Sequence, residues 1–208
     1  MSDAYLDPYR RAVDHFGATF DATLWKSREY QRLRFEVLRQ MIDLDGLTLL
    51  DAGCGLGDLC EYLHERNVRV ARYIGVDGVA EIVAAARERQ LPHAEFHGRD
   101  FVADPEALAI GRPDLIYFSG SLNTVPEATA RQVAQRAWGI ASRGVVLNFL
   151  SDRTSAASLA RHTGPARRFN TIDWLDWALR TTTQVQFRQD YLDGHDATIA
   201  MLREKPGA

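Results

Sequence analysis

The chain has 208 residues, 46% hydrophobic and 25% charged, the balance of one globular domain with enough apolar material for a sizeable core. A net charge of −3 gives no electrostatic footprint for nucleic acid or an anionic membrane surface, and no apolar run reaches the ~20 residues of a membrane span. The start, Met1-Ser2-Asp3-Ala4-Tyr5-Leu6-Asp7-Pro8, has neither the basic nor the apolar part of a secretory signal, so a cytoplasmic protein is expected.

Residues 1–45 read as helical, with Tyr30, Leu33, Val37, Leu38, Met41 and Ile42 as an apolar stripe and Ser27 as N-cap. Apolar strand candidates then follow at Leu47–Ala52, Arg72–Val76, Ala94–His97, Asp114–Phe118 and Gly144–Leu150. Helical stretches separate them at Asp58–Arg66, Val79–Gln90 and Val125–Ala141, with a shorter one near Pro105–Ala109. Thr124, Pro126 and Glu127 have the spacing of a capping box for the last long helix. Ser151–Asn170 is polar, arginine-rich and without periodicity, a loop insertion. Two further strand-like runs, Gln184–Leu192 and Ala197–Arg203, flank Asp193-Gly194, a strong hairpin signal. The pattern predicts an α/β fold with a seven-stranded, mostly parallel sheet, an antiparallel C-terminal hairpin and helices on both faces. Residues 1–45 would form a helical lid on a domain spanning 46–205.

Cys54 and Cys60 lie about 9 Å apart if helical, too far for a disulfide, and no paired histidine suggests zinc. Both read as small buried residues, and no metal site is expected.

The most informative segment is Leu49-Leu50-Asp51-Ala52-Gly53-Cys54-Gly55-Leu56-Gly57-Asp58-Leu59, a buried strand running into a glycine loop and a helix. Gly53 suits the tight turn, Gly55 a close approach of backbone to ligand, and Gly57 close helix packing. Asp77 closes the next strand, near the ~20-residue spacing of a ribose-binding carboxylate. A nicotinamide fingerprint would place its third glycine where Asp58 stands, and that carboxylate would repel a pyrophosphate. A P-loop needs a lysine after the glycines, and none is present. A ribose-bearing ligand without phosphates remains, and S-adenosylmethionine (SAM) fits.

The glycine segment, with Ile74-Gly75-Val76-Asp77 and Gly98-Arg99-Asp100-Phe101, resembles the SAM-binding signature of Rossmann-like class I methyltransferases. Trp25-Lys26-Ser27, Gln31-Arg32-Leu33-Arg34-Phe35 and Asn148-Phe149-Leu150-Ser151 resemble a group of small bacterial methyltransferases of mostly unassigned substrate. The resemblance implies that Gly53, Cys54 and Gly55 line the methionine part of SAM and that Asp51 orders its ammonium group. It implies further that Asp77, beside Gly78, holds the ribose, that Asp100 and Phe101 meet the adenine, and that Ser119 and Gly120 lie near the sulfonium. Arg34 would pair with the SAM carboxylate, with Trp25 on the same lid.

Methyl transfer needs placement more than a catalytic group. Asn123 and Asn148, at the carboxyl ends of strands, are the candidate acceptor contacts. The loop after the fourth strand, Ser119-Gly120-Ser121-Leu122-Asn123, is not the Asn/Asp-Pro-Pro-Tyr clamp of amino-methyltransferases, so a small-molecule acceptor is favoured. His195 and Asp196 are accounted for by the turn they follow. Arg153, Arg161, His162, Arg167 and Arg168 read as an exposed charged loop, with a clamp for an anionic substrate as the alternative. The rival functions are SAM-dependent non-methyl chemistry, such as aminocarboxypropyl transfer or SAM cyclisation, and a non-catalytic SAM-binding protein. The oligomeric state is not encoded in any feature of the sequence.

Overall fold

The computed structural model describes residues 3–204. Met1 and Ser2 of the expected lid and Lys205 at the end of the expected domain lie outside them. A single sheet runs in the order β3-β2-β1-β4-β5-β8-β7. Its strands are β1 (Thr48–Ala52), β2 (Arg72–Asp77), β3 (Ala94–Gly98), β4 (Leu115–Ser119), β5 (Gly144–Ser151), β7 (Gln184–Arg188) and β8 (Asp196–Leu202). A short β6 (Arg168–Phe169) adds a parallel ladder at the end of β5. Strands β1 to β5 pair in parallel, and β8 lies antiparallel to both β5 and β7.

Alternation along each strand divides the core between two helical layers. Leu50, Ala52, Ile116 and Phe118 face α5 (Glu127–Ile140) and α7 (Thr171–Thr181) in one apolar cluster. Leu49, Leu115 and Tyr117 belong to the other, with α2 (Arg28–Met41), α3 (Asp58–Glu65) and α4 (Ala80–Glu88). The cap expected at Ser27 forms, its Oγ accepting from Tyr30 N at 3.2 Å. Phe35, Val37, Leu38 and Met41 of α2 are core residues, which sets α2 apart from the part ahead of it. That part holds α1 (Asp7–Phe16) and a helical turn, Phe20–Thr23.

Three local expectations are corrected. Pro126, not Thr124, stands at the N-cap of α5, and Glu127 instead reaches across to α7, accepting from Asn170 N at 3.1 Å and Trp174 Nε1 at 2.7 Å. The expected insertion contains a helical turn, α6 (Ala156–Leu159), as well as β6. The terminal hairpin is not closed by a two-residue turn; a helical turn at Leu192–Gly194, with Asp193 at φ 54°, carries the chain into β8. Helix α7 falls where the sequence pattern predicts no element; Asn170 caps it by accepting from Ile172 N and Asp173 N. Among the described residues, no helix is long and apolar enough to cross a membrane.

Trp174 is fully buried, stacked on Phe169 with 5.3 Å between ring centroids and packed on Phe149. Its replacement by alanine should lower the unfolding free energy by about 3–5 kcal/mol, read as an earlier urea midpoint at unchanged slope.

Candidate functional site

The carboxyl ends of the parallel strands open into one cavity of about 690 Å3. Its floor is the turn after β1. Gly53 N and Cys54 N both donate to Val76 O, at 2.7 and 3.1 Å, which folds the turn back over β2. Gly53 has φ 85°, and a side chain there would collide with Ser121 of the turn after β4. Ser121 in turn donates to Ala52 O at 2.5 Å, so the two turns are stitched edge to edge. Gly57 opens α3 at φ 79°, where a Cβ would lie 2.6 Å from the Phe96 ring. The close helix packing expected of it is present.

Two carboxylates stand on this floor. Asp77 is held by the loop itself, accepting from Gly55 N and Val79 N at 3.0 Å each. Burial raises its pKa, and those backbone bonds work against the rise. Asp51 is 3% exposed; its Oδ2 accepts from Tyr73 OH, while Oδ1 has no partner. Burial pushes its pKa up to about 7, against the Tyr73 bond and with help from the nearby Asp77 and Asp58 charges. An unpaired, buried carboxylate oxygen is costly unless a cation or donor reaches it.

The cover comes from the first residues and the start of α2. Tyr5 OH donates to Asp100, Leu6 lies against Gly78, and Thr23 lies beside Gly55. Arg34 is buried, stacked under Trp25 at 4.2 Å, and its Nε donates to the fully buried Asp196 on β8. Its Nη1 sits next to Gly120. The opposite wall is formed by residues 161–166 and by Leu192, Asp193 and His195.

Of the residues singled out from sequence, Trp25, Arg34, Asp51, Gly53, Cys54, Gly55, Asp77, Gly78, Phe101, Ser119, Gly120 and Asn123 all line this cavity. Asp100 and Asn148 do not. Asp100 accepts from Val102 N and Ala103 N at Oδ1 and from Tyr5 OH at Oδ2, so both oxygens have partners within the protein. Asn148 is 1% exposed, and its Nδ2 donates to Tyr191 OH at 2.7 Å and Thr198 Oγ1 at 3.1 Å, which makes it a strut between β5 and β8. Asn123 fastens the far wall by donating to Arg167 O at 2.6 Å. The Oδ1 atoms of Asn123 and Asn148 have no partners and lie near Gly120, where Arg34 Nη1 also lies. Cys54 and Cys60 are buried free thiols, as expected. Among the described residues no cluster of histidine, cysteine and acids is arranged to hold a metal.

Sequence reasoning missed Asp196 and His195, which the turn had accounted for. Asp196 meets Arg34 across 162 positions, and no local pattern announces such a partner.

Residues 49–144 match the family described as methyltransferase domain. Over that stretch the chain is similar to methyltransferase domains. A trans-aconitate 2-methyltransferase from Delftia acidovorans is 33% identical over 101 residues, 49% of this chain and 37% of that protein. The chain thus spans little more than a third of the length of that curated relative. In fold, the chain matches a DhpI–SAM–HEP complex with a TM-score of 0.67 at 16% identity, covering 98% of this chain and 100% of that one. The magnesium protoporphyrin IX methyltransferase ChlM from Synechocystis PCC 6803 with bound SAM gives 0.65 at 17% identity, again covering 98% and 100%.

Asp196→Ala would strand the Arg34 charge in the protein interior and should cost about 3–5 kcal/mol in urea unfolding. The double variant Arg34→Met with Asp196→Ala should recover part of that loss, because no charge is then left buried.

Proposed function

We propose that the chain is a SAM-dependent methyltransferase that methylates a small-molecule acceptor by in-line transfer. The observation that carries this reading is the pair of carboxylates on the glycine-loop floor: Asp77 presented by backbone bonds, and Asp51 with one buried oxygen unpaired. A phosphate-bearing ligand would be repelled there, whereas a ligand with an ammonium group and a ribose diol would be welcomed. SAM supplies those groups and an activated methyl whose departure leaves a neutral thioether.

The residues divide the work along the cavity. Asp51 receives the ammonium group, Gly53, Cys54 and Gly55 the methionine chain, and the Nη groups of Arg34 the carboxylate. Asp77 and Gly78 take the ribose. Phe101 packs on the adenine, while Asp100 acts through Tyr5, fixing the cover over that end. Ser119 and Gly120 border the sulfonium, and Asn123 holds the acceptor wall in place. Catalysis then consists of keeping the acceptor about 3–3.5 Å from the methyl carbon and keeping water out. A small acceptor is supported by the enclosing cover and by the relatives, whose names give trans-aconitate and magnesium protoporphyrin IX as what they methylate.

Residues ahead of α2 serve as a lid in this reading, since Tyr5, Leu6 and Thr23 contact the floor without building the sheet. Removing residues 1–22 should leave a folded protein with weakened turnover; normal turnover would reduce the segment to packing. Asp77→Ala should weaken SAM binding by about tenfold or more in calorimetry, from charge-assisted bonds worth about 1.5–3 kcal/mol each. S-adenosylhomocysteine as the product marks methyl transfer, and methylthioadenosine would mark attack at another carbon.

Asp51 makes SAM binding pH-dependent. With its pKa raised to about 7, the free protein holds a proton there below that pH, and an ammonium partner must displace it. Affinity should therefore fall as the pH drops from 7 to 6, approaching about tenfold per unit. Calorimetry in buffers of different ionisation enthalpy should show a released proton, and Asp51→Asn should abolish both effects.

A further inference from the structure

The sheet order gives the cavity two ends of opposite character. Asp51, Asp77 and the glycine loop belong to β1 and β2, on one side. The other side is walled by the segment after β5 and the turn before β8, and it carries Arg161, His162, Asp193 and His195. Arg168 stands directly behind His195, and Arg34, bonded to Asp196, borders the same end. Arg34, Arg161 and Arg168 are opposed there by the carboxylates of Asp193 and Asp196. The positive charge is in excess.

The two histidines are fixed as donors. His195 Nδ1 lies 2.9 Å from Arg168 Nη2 and 2.8 Å from Ser158 Oγ. A guanidinium only donates, so Nδ1 must accept and the ring's proton sits on Nε2. His162 Nδ1 accepts from Gly164 N at 3.1 Å, a backbone donor, which leaves its proton on Nε2 as well. Burial, with Arg168, Arg34 and Arg161 close by, lowers the proton affinity of His195 although Asp196 pulls the other way, so the ring stays neutral. An imidazole whose free nitrogen is already taken by an arginine cannot accept a proton from an acceptor molecule. A carboxylate is too weak a base to deprotonate an alcohol, a phenol or an ammonium ion near neutral pH. Tyr9, pushed up to about 12 chiefly by burial, holds its proton.

This end of the cavity therefore offers N–H donors and positive charge but no general base. We propose that the acceptor is a small carboxylic acid, methylated on its carboxylate oxygen, with His195 Nε2–H and Arg161 as the groups that select it. The inference rests on the methyltransferase reading given above. A carboxylate arrives ionised and needs no base: its oxygen forms the new C–O bond, the C–S bond breaks, and that electron pair stays on sulfur. No proton moves, and the products are a methyl ester and neutral S-adenosylhomocysteine. His195 would bind the spectator oxygen and act on specificity, not on the bond-making step.

The test is a panel of four- to eight-carbon mono- and dicarboxylic acids, set against amines and phenols of matching skeleton, offered to the full chain with SAM. Methyl esters should form. Under saturating SAM, kcat/KM should stay flat between about pH 6.5 and 9, because the acceptor is ionised throughout and His195 does not exchange a proton. His195→Phe should raise KM for the acid by about tenfold with kcat changed far less, as expected for loss of a charge-assisted bond. His195→Gln, which keeps an N–H donor, should restore part of the loss. Methylation of the amines or phenols in place of the acids, or a basic limb in the pH profile, would overturn the proposal and leave methyl transfer standing. Failure of every acid to bind the protein loaded with S-adenosylhomocysteine would overturn it too. If SAM itself does not bind, the functional reading beneath it is what fails.

Discussion

The site depends on β1 lying between β2 and β4, with the turns that follow β1 and β4 leaving the sheet side by side. In a parallel α/β sheet the crevice opens where the strand order reverses, and here that point is the β1–β4 boundary. The constraint is steric as well as topological. Ser121 reaches Ala52 O only because Gly53 has no side chain, and that contact fixes the two turns against each other. The same turn hands Gly55 N to Asp77, so a carboxylate at the end of β2 becomes part of the loop after β1. Position, conformation and charge at the floor are thus one coupled arrangement.

The roof depends on a second, more expensive contact. Arg34 and Asp196 are both withdrawn from water, and burying an ion pair commonly costs as much in desolvation as it returns in attraction. Its value lies in geometry. The pair ties α2 to the start of β8, seats Trp25 over the guanidinium, and leaves Nη1 beside Gly120 at the mouth of β4. Around it sit buried oxygens of Asn123, Asn148 and Asp196 that have no partners among the described residues. Unsatisfied acceptors of this kind collect at binding sites rather than in packing cores. Here they lie around the Arg34 guanidinium, which belongs to both the roof and the cavity.

The acidic floor and the basic far wall also explain why the charge count of the chain is uninformative about its ligand. A net charge of −3 averages over two ends that differ in sign. The protein field that matters is local, set by which strands bring which side chains to the crevice.

The sequence by itself determined the sheet, the two helical layers and the glycine-loop floor, because each is written in contiguous residues. Alternating apolar residues fix a strand's two faces, a Ser27 cap fixes where α2 starts, and Asp51 to Asp58 with Asp77 spell out the turn within one βαβ unit. Short-range rules reach that far. They say less where a residue has two roles open to it. Asp100 and Asn148 stand at strand ends with the chemistry of ligand contacts, and the fold adds protein partners, Val102 and Ala103 for Asp100 and Thr198 for the Asn148 amide, while Asn148 Oδ1 stays unpartnered among the described residues. Helix α7 escaped because its apolar face is completed by Phe149 and Phe169, neither of them in its own segment. Only the tertiary structure decided the roof and the far wall. Asp196 and His195 look like turn residues until β8 slots between β5 and β7, which places them opposite Arg34 and Arg168. The partners of a buried charge are set by which chain ends meet in space, and no local pattern holds that information.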